Sequence, residues 1–114
     1  MKYMLQVRFD RAAATIDRLP APEQASVFAE FEAIRESPGV LDGNQLQPVS
    51  AATTVRVHNL KTQVTQGPAV DISAALDGYY VYDAPDLEAA TALAARIPVA
   101  RLGGTVEVRP ILER

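Results

Sequence analysis

The chain has 114 residues, 48% of them hydrophobic and 22% charged, a globular composition rather than that of a disordered segment. Its net charge of −3 argues against a nucleic-acid or anionic-membrane binder, either of which needs a basic face. With no cysteine and a single histidine, His58, disulfides, thiolate catalysis and cysteine- or multi-histidine metal sites are excluded.

The start of the chain, Met1 to Leu5, has one lysine but no apolar core with a cleavage site, so it does not read as a signal peptide. No run reaches the roughly 18 apolar residues that a membrane helix requires. A soluble, cytoplasmic single domain over residues 1–114 is the expectation. Residues 2–9 alternate, with Tyr3, Leu5, Val7 and Phe9 against Lys2, Gln6 and Arg8, which predicts a strand with one buried face. Asp10 to Leu19 is alanine-rich and suits a short helical turn before Pro20. A helix is predicted to begin near Pro22, where proline fits the first turn and Glu23 complements the dipole. Its inward stripe is Val27, Phe28, Phe31 and Ile34. Ser37-Pro38-Gly39 stops it. Val40 to Gln47 reads as a weaker strand, interrupted by the Asp42-Gly43 turn signal.

Val55 and Val57 alternate with Thr54, Arg56 and His58, and Asn59-Leu60-Lys61 turns the strand back into Thr62 to Thr65 as a hairpin. Gly67-Pro68 breaks it. Ile72 to Leu76 suits one helical turn after Asp71. Tyr79 to Asp83 is rich in strand-forming residues. Pro85 and Asp86 open a second helix with the face Leu87, Ala90, Leu93, Ala94 and Ile97, ended by Pro98. Thr105 to Leu112 alternates again, with Val106, Val108 and Leu112 on one face.

This order is β-α-β, hairpin, β-α-β. It predicts an α+β, ferredoxin-like βαβ(hairpin)βαβ fold with both helices on one face of the sheet. Tyr3, Leu5, Tyr80, Tyr82, Val106 and Val108 supply more apolar strand surface than one helical layer is expected to hide. Sheet-to-sheet pairing as a two-fold homodimer is the expected remedy, with Tyr80 on the surface that awaits the partner.

In order and wording, several phrases resemble the YCII-related family, specifically its DGPF branch of dimeric α+β barrels. They are the Met1-Lys2-Tyr3-Met4-Leu5 opening, Ala52-Thr53-Thr54-Val55-Arg56-Val57, Thr65-Gln66-Gly67-Pro68, Leu76-Asp77-Gly78-Tyr79-Tyr80, Ala95-Arg96-Ile97-Pro98 and Gly104 to Ile111. The resemblance implies a cleft between sheet and helix, acid–base use of a His–Asp pair there, and an association with extracytoplasmic-function sigma factors. The chain departs from that pattern. Gln66-Gly67-Pro68-Ala69 stands for Asp-Gly-Pro-Phe, and Asp71 keeps the acidic position after the proline. Ser73 and Ala74 replace a Lys and a Glu, Glu32 stands where an Asn or His is common, and Leu102 where a His is. No imidazole occupies any family position, so the site reads as degenerate or repurposed.

Each candidate residue has a plain reading beside the functional one. Histidine is the side-chain type suited to proton transfer near neutrality, but alternation places His58 with Arg56 on a solvent face. Asp71 precedes a helical turn, where an N-cap role is the ordinary one; as a catalytic carboxylate it would pair with Glu32 in shared acid–base roles. Tyr80 packs or lines a cleft. Arg101 and Arg109 grip an anionic ligand or, more simply, balance Glu107, Glu113 and Asp83 across strands. Two functions follow: a non-catalytic small-ligand-binding or regulatory module, with a homodimer, a small molecule and a regulatory protein as partners and no cofactor, or a weak acid–base enzyme using Asp71 and Glu32. The unmatched histidine favours the first.

Overall fold

The computed structural model describes residues 1–114 and builds a four-stranded antiparallel sheet around its first strand. In chain order the elements are β1 (Lys2–Arg8), α1 (Ala12–Asp17), α2 (Ala21–Arg35), β2 (Val40–Gln45), β3 (Thr53–His58), β4 (Lys61–Gln66), β5 (Gly78–Asp83), α3 (Leu87–Arg96), α4 (Val99–Leu102) and β6 (Thr105–Pro110). Short 3-10 turns at Val49–Ala51 and Ile72–Ala74 flank the β3–β4 hairpin. The main sheet runs β2-β5-β1-β6. With the hairpin set aside, that is the ferredoxin-like order, so the fold is α+β as the pattern predicts.

The register explains where the core lies. Leu5 faces Tyr80 on one side and Val108 on the other; Tyr3 faces Tyr82, and Val7 faces Val106. Directly opposed residues share one face of a sheet, and this face is covered by the helices. Tyr3, Leu5, Val7 and Tyr80 are all buried there with Ile34, Ala90, Leu93, Ile97 and Val99. The expectation that Tyr80 and its neighbours await a partner is therefore corrected. The second face carries Met4, Gln6, Arg8, Tyr79 and Val81 on alternate positions, each only partly covered.

The helices keep most of their expected contacts. Asp86 caps α3, its side chain accepting the Ala89 N–H at 2.8 Å. Gly103, at φ +104, closes α4 in the left-handed conformation that glycine adopts without strain. Val27 and Ile34 bury from α2, but Phe28 is 54% exposed and Leu87 of α3 is 53% exposed. Leu112 lies beyond β6 and is exposed. The Asp42-Gly43 signal marks an irregularity between Val40 and Asp42 inside β2 rather than a turn. Gly43 is there for close approach: a Cβ would fall 2.8 Å from Tyr80 Cε1 and nearer still to Cδ1.

The hairpin stands apart. Hydrogen bonds close its root, with Gly67 N–H donating to the Ala52 carbonyl at 2.8 Å and the Thr54 hydroxyl to the Gly67 carbonyl at 2.7 Å. Beyond that, every residue from Val55 to Gln66 is exposed. The chain spans 49 × 40 × 19 Å with a radius of gyration of 16.0 Å, against about 13 Å for a compact domain of this length. Its accessible surface is 7710 Å², where a compact monomer of this mass exposes about 6,100 Å².

Because the Tyr80 ring occupies the space beside Gly43, Gly43→Ala is expected to overpack the sheet and cost about 1–3 kcal/mol in urea unfolding. An unchanged midpoint would mean that the ring swings away freely.

Candidate functional site

A cleft opens between α2 and the strands β2 and β5. Its volume is about 210 Å³, and its wall runs from Val7 and Phe9 through Phe28, Phe31, Glu32 and Arg35 to Gly43–Gln45 and Asp77–Tyr80. The α2 residues explain its character. Positions 28, 31, 32 and 35 fall on one helical stripe, beside the Val27–Ile34 stripe that enters the core. The same helix thus seals the core with one stripe and lines the cleft with the next. Phe28 forms the exposed lip, and Phe31 packs toward Phe9 with ring centroids 6.2 Å apart at 45°, within the range of favourable aromatic pairs.

Tyr80 closes the inner end. Its hydroxyl donates to the Phe31 carbonyl at 3.0 Å. Burial, and next the Glu32 carboxylate, push its pKa up to about 12, with Arg35 opposing. The phenol is therefore held neutral and already engaged, which suits a wall rather than a proton relay near pH 7. Asp77 is committed to the scaffold. Its carboxylate accepts the Phe9 N–H at 2.7 Å, its own N–H donates to the Val7 carbonyl at 2.9 Å, and its carbonyl accepts the Leu46 N–H at 2.9 Å. Glu32 and Arg35 form no salt bridge, since the ion pairs of the chain are Met1–Asp83 and Glu30–Arg101. Both charges at the lip are free for something else.

Of the residues singled out in the sequence, Glu32 and Tyr80 share this cleft and the others do not. Asp71 is exposed before the Ile72–Ala74 turn, and its side chain makes no capping bond; the turn is closed by its main-chain carbonyl, which accepts the Ala74 N–H at 2.9 Å. The side-chain cap is not formed, and Asp71 is not among the residues that line the cleft with Glu32. His58 ends β3 opposite Lys61, exposed on the Arg56 face. Arg101 lies on α4 and pairs with Glu30 of α2 through two contacts of 2.8 and 2.9 Å, not with the acids of the strands. Arg109 is exposed on the edge strand β6, opposite Met4, and has no carboxylate within salt-bridge reach. No three acidic or histidine side chains converge as a metal site would require.

Phe9, Phe28, Phe31, Arg35 and Asp77 are among the cleft residues that the sequence pattern did not mark as a site. A signal existed for two of them: Phe28 and Arg35 are seven residues apart, two helical turns, on the stripe of Glu32. On the opposite face of the sheet, the Tyr79 hydroxyl accepts from Asn44 Nδ2 at 3.0 Å and donates to Asp42 Oδ2 at 3.3 Å. That exposed network pins β2 to β5.

The YCII-related domain matches the chain over residues 33–114. No curated protein matches it. The chain belongs to the YCII-related family. The matched span begins within α2 and leaves out β1, which supplies Val7 and, just beyond its end, Phe9 to the cleft.

Two measurements check these placements. In Tyr80→Phe the ultraviolet ionisation step near pH 12 is expected to vanish, with a loss of about 1 kcal/mol for the hydrogen bond. The raised pKa also means that stability held below pH 10 declines as pH rises toward 12, because the unfolded chain releases this proton first. A tyrosine step that survives the substitution would assign the shift elsewhere. Asp71→Ala is expected to change stability by under about 0.5 kcal/mol, where losing a working cap costs about 1 kcal/mol.

Proposed function

We propose that this member of the YCII-related family is a homodimeric, non-catalytic module that binds one small molecule per chain in the α2 cleft. The observation that carries the reading is the composition of the wall: three phenylalanines and a neutral tyrosine beside an unpaired carboxylate and an unpaired guanidinium. Such a site suits a ligand with an apolar ring or chain and a polar group that meets Glu32 and Arg35 together. A volume of about 210 Å³ fits a small metabolite rather than a nucleotide-sized cofactor, since drug-sized ligands occupy about 300–1,000 Å³.

Acid–base catalysis is the weaker reading. Glu32 has no second carboxylate or imidazole beside it, Asp77 is bonded to the backbone, and Tyr80 is held protonated far above neutrality. Homodimer formation is supported by the surface in excess of a compact monomer, about 1,600 Å², against about 800 Å² per partner in a standard interface. A regulatory protein partner is supported by the resemblance to sigma-factor-associated members of the family, and the ligand would report to it.

Native mass spectrometry of the purified protein, before and after denaturation, tests the ligand. The expected result is a dimer whose extra mass leaves on denaturation and is lost in Phe28→Asp, a change at an exposed lip that leaves the core intact. Extra mass retained in Phe28→Asp would place the ligand elsewhere, and an empty dimer would favour a module acting through protein contacts alone.

A further inference from the structure

The hairpin is the part of the molecule whose chemistry the cleft does not use. Its register places Val55 opposite Val64 and Val57 opposite Thr62, so these side chains share one face of the ribbon. Thr54 with Thr65, Arg56 with Gln63 and His58 with Lys61 share the other. The valine face is bare: Val55, Val57 and Val64 are 59%, 67% and 67% exposed. An isolated two-stranded hairpin is marginally stable in water, so a face of this kind calls for a surface to lie on.

The tip gives the same indication. Asn59 and Leu60 both have positive φ, +50 and +65, the two-residue turn that matches the twist of a hairpin. Asparagine suits such a position; a leucine there is an outlier. Leu60 is also 98% exposed, so it is unfavourable both in conformation and in solvation unless something receives it.

Charge selects the occupant. The hairpin carries Arg56 and Lys61 and no acid, which leaves nine Lys/Arg against fourteen Asp/Glu on the rest of the chain. Two hairpins repel each other, whereas a hairpin is attracted to the acidic body of another copy. The surface in excess of a compact monomer is also more than one partner of a standard dimer interface buries. We propose that the β3–β4 hairpin is an exchange arm. In the homodimer its valine face and Leu60 lie on the body of the second copy, and Arg56 and Lys61, on the outer face of the ribbon, are drawn by that body's net negative charge. The inference rests on the homodimer reading and adds the element that holds it.

Because Thr54 and Thr65 are directly paired, an Asn-Gly turn in place of residues 55–64 removes the arm and keeps the Thr54–Gly67 bond that closes its root. By sedimentation velocity the full chain is expected to be a dimer. The armless variant is expected to keep its thermal transition and dissociate with a Kd raised at least 100-fold. Leu60→Asp, on a side chain that the body does not touch, is expected to weaken the dimer at least 10-fold. Arg56→Glu with Lys61→Glu is expected to do the same and to abolish its salt dependence. A photo-crosslinking amino acid at position 60 is expected to yield covalent dimers. An armless or Leu60→Asp protein that dimerises like the full chain, or a crosslink found only within one chain or to an unrelated protein, overturns the arm while the homodimer stands on its sheet face. A full chain that is monomeric throughout overturns both.

Discussion

The burial of β1 on one face, while both its edges are hydrogen-bonded, is the constraint from which the rest of the molecule follows. Tyr3, Leu5 and Val7 point into the helical layer, and β5 and β6 flank the strand on either side. A strand so placed has no freedom of register, since a slip of one residue would turn Leu5 to the open face and Met4 and Gln6 into the core. With β1 fixed, Tyr80 must lie beside Leu5, and from there its ring crosses Gly43 and its hydroxyl reaches the Phe31 carbonyl. One buried strand thereby positions α2, and the cleft lies between α2 and the strands β2 and β5.

The same arrangement gives the cleft the features on which the proposed binding role rests. Its polar groups divide into two sets. Asp77 and Tyr80 are spent on the backbone, and their hydrogen bonds hold the walls. Glu32 and Arg35 carry no structural load and stand at the entrance beside Phe28. On the proposed reading, this apolar interior with unpaired charges at the mouth would select a ligand by shape inside and by charge outside.

Strand alternation and helix start signals made the element order, the ferredoxin-like topology and the faces of β1 legible in the sequence, because these depend on local period alone. The assignment of Tyr80 to an outer surface failed for a reason of long range. Alternation says which residues of β5 share a face, but only the pairing of β5 with β1 says which of the two faces the helices cover. Phe28 failed similarly: a stripe of four apolar residues on α2 is wider than the core that receives it, so its flank became a lip. Arg101 was assigned to strand partners because α4 left no periodic trace in four residues. Glu32 was found by comparison of motifs, yet the Asp71 proposed beside it belongs to the segment that follows the hairpin, where no local pattern reports distance from α2.

The position of β1 also sets the order in which the chain can acquire its structure. Tyr3 pairs with Pro110, so β1 finds one of its neighbours only when β6, more than a hundred residues later in the chain, has left the ribosome. Until then half the edge of β1 and its apolar face are unsatisfied. Loop closure of that length is entropically costly and slow. The β3–β4 ribbon, by contrast, joins neighbours in sequence and forms on the microsecond scale of an isolated hairpin. The nascent chain therefore presents an early local ribbon and a late central strand, and the interval between them is when a chaperone that holds apolar segments has something to bind.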